Sequence, residues 1–236
     1  MTYCLGIKVK EGLVAIADTR ITSGSETTIA KKYYSFIKKK QAIFVMTSGL
    51  RSVRDKAITY FREVIEEEHN FTKLYQAANA LGEQIKRAAQ EDKASIEKSG
   101  LTFNLNTIIG GQFEKDEAPK LFMIYPEGNW IEVGEGSPFI IIGNSGYGKP
   151  ILRRTISINS TIKMALKTGF LSFDSTRVSA NDVDFPIDVI IYRNDSFDFN
   201  IHRLELQDMQ DISKLWGDKL KASIEEIPDD WMAKII

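Results

Sequence analysis

Thr2 stands directly behind the initiator methionine and already begins a strand-like run, Thr2 to Val9. A turn at Lys10-Glu11-Gly12 leads into a second such run, Leu13 to Ala17, which ends on Asp18. Two antiparallel strands joined by so short a turn bring the end of the second beside the start of the first. Asp18 is therefore expected near Thr2, at one edge of a sheet. Removal of Met1 leaves a threonine with a free α-amine next to its own hydroxyl. A threonine hydroxyl is a poor nucleophile until a base takes its proton, and an N-terminal amine is one such base. The reference pKa of an α-amine, about 7.7–8.0, leaves a useful fraction unprotonated near neutral pH. The same residues also fit a plain strand start and a surface ion pair, so the rest of the chain has to decide between the two.

Other chemistries find little material. Cys4 is the single cysteine and His69 and His202 are the two histidines, too few and too dispersed for a Cys/His zinc site or a serine triad placed in a loop. His69 follows Glu66-Glu67-Glu68 and reads as a solvated helix end. Cys4 shares a strand face with Thr2 and reads as a buried thiol. The stretch Gly143-Asn144-Ser145-Gly146-Tyr147-Gly148-Lys149 imitates a phosphate-binding loop, but Pro150 stands where a hydroxyl should reach Mg²⁺. No metal or cofactor is expected.

Composition narrows the class further. The chain has 236 residues, 43% hydrophobic and 27% charged, with a formal net charge of −1. These values suit one well-filled core and imply neither a nucleic-acid nor a membrane partner. A single cysteine and the lack of a leader-like or membrane-length apolar run make the cytoplasm the expected compartment. Residues 1–236 are read as one domain, with 225–236 as a C-terminal tail.

The elements that must position Thr2 follow in blocks. Strands are expected at about 27–37, carrying Lys31 and Lys32, and at 41–47, with Lys38-Lys39-Lys40 as a solvated tip between them. Amphipathic helices follow over about 50–68 and from a cap at Asn70 or Thr72 to about Ser95. Strands resume at 103–113, 120–125, 129–133 and 139–142, and helical patterns cover 150–156 and 161–172. Strands at 187–193 and 197–206 precede a helix over 207–224. Strand blocks separated by helix pairs predict two packed antiparallel sheets with helices outside, rather than βαβ units.

The motifs Thr2…Gly6, Gly12 through Arg20, Thr22-Ser23-Gly24, Lys31-Lys32, Thr47-Ser48-Gly49, the Gly-Asn-Ser-Gly loop, Asp174 and Ile187-Asp188-Val189-Ile190 together resemble proteasome-type β subunits. These are N-terminal-nucleophile hydrolases, and the likeness is strongest to the bacterial ancestral-β-subunit branch, Anbu. The resemblance implies an α+β fold, a four-layer αββα sandwich. It assigns Thr2 as nucleophile, Asp18 as the acid paired with an active-site lysine, and Lys32 as that lysine, whose cation favours the alkoxide and the unprotonated amine. Gly49 corresponds to the glycine whose backbone N–H forms the oxyanion hole. Ser145 corresponds to the serine of the glycine-serine loop, and Asp174 to a late aspartate that orders the N-terminus. The family usually carries a hydroxyl three residues after that aspartate. Here that position is Arg177, with Ser175, Thr176 and Ser179 nearby, and Ser179 is taken for the role.

The resemblance implies a threonine-type peptidase or amidase acting on peptide or unfolded-protein substrates, with a homo-oligomeric ring or helical array, and leaves open whether an unfoldase or other factor takes part. The alternative is an assembly subunit with little turnover, although a pure scaffold has no need of Thr2, Asp18 and Lys32 together. Trp231, Met232, Ile235 and Ile236 fall one helical turn apart in the tail, and are expected to dock in the assembly. We expect the mature chain to begin at Thr2, since the amine must be free to act as base. Intact mass of the cellular protein checks this, and full retention of Met1 contradicts it.

Overall fold

The computed structural model describes residues 2–23, 26–67 and 71–235. Met1, Gly24, Glu68, His69, Asn70 and Ile236, which carry expectations about the processed start, one motif, a helix end, a cap and the tail, lie outside the described residues.

Strands β1 (Tyr3–Val9) and β2 (Gly12–Asp18) form the expected hairpin. They sit at the centre of a five-stranded antiparallel sheet in the order β10-β1-β2-β11-β12, completed by β10 (Phe139–Gly143), β11 (Ile187–Arg193) and β12 (Phe199–Leu204). A second five-stranded sheet runs in sequence order: β5 (Tyr33–Ile37), β6 (Gln41–Gly49), β7 (Leu105–Phe113), β8 (Lys120–Ile124) and β9 (Trp130–Glu132). The two sheets pack face to face between helix pairs, giving the four-layer αββα sandwich. None of the described helices is long and apolar enough to cross a membrane.

Strand periodicity explains the layers. Odd positions of β1, namely Tyr3, Leu5, Ile7 and Val9, pack with Leu152 of α3 (Lys149–Thr155) and with Ala165, Phe170 and Phe173 of α4 (Ile162–Arg177). Cys4, on the other face, joins Ala15 and Ala17 of β2 and Ala42, Phe44 and Met46 of β6 between the sheets. Ile43 and Val45 of β6 point the opposite way, onto Val53 and Phe61 of α1 (Arg51–Glu66) and Leu81 and Ile85 of α2 (Leu74–Lys98). Alternation of this kind, apolar on both faces, is what a doubly covered sheet demands. The inter-sheet layer is made thin by small residues. A Cβ on Gly110 would lie 2.4 Å from Cζ of Phe44, so that glycine makes room for the ring.

Three expectations need correction. The strand expected over 27–37 is two strands. β4 (Glu26–Ile29) pairs with β3 (Arg20–Ser23) in a separate ribbon, and the chain then crosses through 30–32 into β5. The helix expected to stop at Ser172 continues to Arg177, because Phe173 still faces the core at helical spacing. The second long helix takes Lys73, not Thr72, as its N-cap residue. Gln76 Oε1 accepts from the Thr72 and Lys73 N–H groups and Asp116 Oδ2 accepts from Leu74 N–H.

The last helix, α5 (Leu206–Glu225), buries none of its residues fully. A short 3₁₀ helix (Asp230–Lys234) follows, with Trp231 57% and Ile235 73% exposed. Phe44 is the centre of the inter-sheet layer and touches Phe199 edge-on at 5.9 Å. Phe44→Ala is expected to lower unfolding free energy by about 3–5 kcal/mol, read from the urea midpoint. A change below about 1 kcal/mol would show that the layer repacks freely.

Candidate functional site

The end of β2, the start of β1 and the crossover at 30–32 converge on one ion pair. Lys32 Nζ donates to both oxygens of Asp18 at 2.8 Å, and Tyr3 N–H donates to Asp18 Oδ1 at 2.8 Å. The Asp18 side chain is wholly buried and that of Lys32 is 3% exposed. Asp18 is fixed from the next residue on as well, since Thr19 N–H and Oγ1 both donate to the Pro186 carbonyl, at 3.0 and 2.7 Å. Burial pushes the Asp18 carboxyl up, to about 6, while Lys32 and the Tyr3 N–H pull it back. The pair is therefore ionised at neutral pH and comes apart as pH falls through that value.

Thr2 is held through its own carbonyl. Asn144 N–H donates to Thr2 O at 2.7 Å, and Gly143 (φ +86°) passes so close that a Cβ there would lie 1.9 Å from the same oxygen. The glycine loop that imitates a phosphate cradle thus packs on the chain start, and Ser145 follows directly from Asn144, half-buried. Tyr3 closes the arrangement. Its hydroxyl donates to Ser172 Oγ at 2.7 Å, and Ser172 Oγ donates to the Gly148 carbonyl at 2.8 Å. Strand β1, helix α4 and the far end of the loop are locked by one buried relay.

Thr2, Lys32 and Gly49 line a single cavity of about 350 Å³. Gly49 ends β6 at φ +148°, and a Cβ would meet the Asn104 carbonyl at 2.0 Å, so only glycine fits. The cavity wall also carries Thr47, Ser48, Arg20, Arg51 and Arg54. A hydroxyl, a cation beside it and a close backbone approach in one cleft are the elements of nucleophilic attack on a carbonyl with a preorganised oxyanion site. Cys4, fully buried with its thiol pushed well up by that burial, offers no competing nucleophile.

Two expected site residues are placed differently. Ser179 is exposed and donates to the Ser175 carbonyl at 2.9 Å. Ser175 and Thr176 likewise donate back to Leu171 O and Ser172 O. Ser175 and Thr176 lie in α4 and Ser179 just past its end, all three hydroxyls bond to carbonyls four residues back, and no described hydrogen bond joins them to Thr2. Asp174 is buried, but its Oδ1 accepts from Arg177 at 2.8 Å and from Ser213 of α5 at 2.7 Å. Among the described contacts it orders the α4–α5 junction. The hydroxyl of α4 that does reach the chain start is Ser172, which sequence reasoning missed. Tyr3, adjacent to Thr2 and on the helix-facing side of its strand, was the available signal.

The model of the proteasome-subunit family matches residues 2–185. A search of curated proteins returned no match. Among solved structures, an Anbu (Gly-1) mutant from Hyphomicrobium sp. strain MC1 superposes with TM-score 0.89 at 32% identity, covering 97% of this chain and 98% of that one. Anbu from Yersinia bercovieri gives 0.87 at 30% identity over 96% and 97%. The helical assembly of the Anbu complex from Pseudomonas aeruginosa gives 0.89 at 26% over 96% and 97%.

The electrostatics of the pair can be read directly. The Asp18 carboxyl carbon is expected to titrate near pH 6 by NMR of labelled protein, and Lys32→Met should move that midpoint higher, since it removes the cation that favours the carboxylate. An Asp18 that stays ionised down to pH 4 in both proteins would contradict the balance of burial and pairing described here.

Proposed function

The chain belongs to the proteasome-subunit family and is built like Anbu, and on that premise we propose that it is a threonine-type peptidase or amidase with Thr2 as nucleophile. The observation that carries this reading is the buried Asp18–Lys32 pair, whose lysine lines the same cavity as Thr2 and Gly49. With Met1 removed, the Thr2 amine takes the proton as Oγ attacks the amide carbonyl. The Lys32 cation lowers the cost of negative charge on Oγ, and Asp18 holds that cation in place. The Gly49 N–H receives the developing oxyanion. Collapse expels the amine of the leaving half, which takes the proton back. Water, relieved of its proton by the Thr2 amine, then hydrolyses the ester and frees Oγ. Ser145, which follows the Asn144 that holds the Thr2 carbonyl, is the proposed counterpart of the serine in the family's glycine-serine loop. Asp174 acts at one remove through α4, and Ser172 replaces Ser179 as the hydroxyl that steadies the chain start.

Peptide or unfolded protein is the proposed substrate, and the cytoplasm the proposed setting. The chain is further proposed to work as a homo-oligomer. The Pseudomonas relative forms a helical assembly, and here Ile227, Trp231 and Ile235 of the tail are 58%, 57% and 73% exposed. Burial of such side chains contributes roughly 1.5–3 kcal/mol each, enough to favour contact with a neighbouring copy.

Thr2→Ala is expected to abolish hydrolysis of short peptide amides while leaving circular dichroism unchanged. Lys32→Met should lower kcat at least about 100-fold, the scale for losing an electrostatic or proton-transfer helper. Undiminished turnover in Thr2→Ala would sink the enzyme reading. Truncation after Pro228 should give a smaller assembly by sedimentation with native secondary structure. An unchanged assembly size would remove the tail from the interface.

A further inference from the structure

The cavity beside Thr2 is lined by cations. Arg20, Lys32, Arg51 and Arg54 contribute to its wall, and among the described residues no carboxylate does. Their acidic partners stand behind them. Asp18 holds Lys32, Asp184 accepts from Arg20 at 2.9 Å, and the single carboxylate of Asp55 serves both Arg54 at 2.7 Å and Arg51 at 3.5 Å. Asp55 and Asp184 are 49% and 38% exposed, so solvent weakens their hold.

Two further features point the same way. Arg51 and Arg54 occupy the first turn of α1, where the helix dipole is positive and cations are unfavourable. That turn holds no acidic residue, and Leu50 ahead of it provides no side-chain cap. The start of a 16-residue helix is thus left without a negative group on the side that opens to the cavity. Hydrogen-bonding capacity is also unmet there. Thr47 Oγ1, on a side chain 3% exposed, and Arg20 Nε are buried without partners.

Resting on the peptidase reading above, we infer that the residue on the acyl side of the scissile amide carries a carboxylate, so that this chain acts after acidic side chains. With Thr2 Oγ at the carbonyl, the side chain of that residue enters the cavity. A carboxylate there meets the arginines and the uncapped first turn, whereas a lysine side chain is repelled and an apolar one strands desolvated guanidinium groups. Arg54, 8% exposed, is the deepest of these cations and the one expected to matter most.

Binding and turnover separate this inference from the peptidase reading. Calorimetry on Thr2→Ala, which cannot turn over, compares otherwise identical acetylated tripeptide amides ending in Glu, Gln or Lys. The Glu peptide is expected to bind at least about ten-fold more tightly than Gln, less so as salt rises, with Lys weakest. Adding Arg54→Gln should remove most of the difference. Adding Arg51→Gln at the exposed position, where folding is not at stake, should reduce it. Equal binding of Glu and Gln, absence of binding by all three, or a preference untouched by both arginine changes overturns the inference. Hydrolysis of the matching fluorogenic amides by the wild-type protein is scored separately. Turnover of neutral substrates without an acidic preference leaves the peptidase standing and removes this inference. An acidic binding preference without any turnover does the reverse.

Discussion

One buried ion pair organises this molecule. Taking a carboxylate and an ammonium out of water costs several kcal/mol per ion, repaid only when geometry and further hydrogen bonds are good. Asp18 and Lys32 meet those terms with two contacts of 2.8 Å and a third donor from the Tyr3 backbone. The pair also ties three segments that are separate in sequence: the first strand, the end of the second, and the crossover between the ribbon and the second sheet. Removing either partner leaves an uncompensated charge inside the protein, so the start of the chain cannot move without disturbing the pair. Stability and chemistry are coupled at this point. The carboxylate that fixes Lys32 in the wall of the Thr2 cavity also holds the N–H of Tyr3, the residue next to Thr2.

The remaining elements serve that placement. Thin inter-sheet packing, with glycine at 110 under Phe44, lets two sheets approach closely enough for β1 and the end of β6 to share a cleft. The Tyr3–Ser172–Gly148 relay and the Asn144 N–H hold Thr2 from the opposite side. Gly49 and Gly143 have backbone neighbours within 2.0 Å of where a Cβ would be, so any larger residue would push the cleft open.

Much of this was legible from residues alone. The β1–β2 hairpin and the layer order follow from period-two alternation and from strand blocks between helix pairs, because those patterns reflect burial directly. The proximity of Asp18 to Thr2 follows from the short turn. The position of Lys32 was harder. Apolar alternation across 27–37 gave no sign that the chain leaves one pairing partner and joins another between Ile29 and Tyr33. The end of α4 was missed because Ser175, Thr176 and Ser179 look like loop residues, yet each satisfies its hydroxyl on the helix itself. Ser172 and Ser213 were invisible as partners of Tyr3 and Asp174, since each contact joins positions far apart in sequence. Arg51 and Arg54 did carry a signal, cations at a helix start, where the dipole disfavours them.

The central claim is that Thr2 Oγ is a nucleophile made competent by its buried neighbours. Its most direct measurement is peptide-mapping mass spectrometry of the mature protein after exposure to a peptide β-lactone, which acylates a nucleophile without needing a leaving amine. The account predicts one acyl adduct, on Thr2, forming far more slowly when Lys32 is replaced by methionine. Adducts on surface lysines alone, or labelling of Thr2 at the same rate in the Lys32 variant, would contradict it.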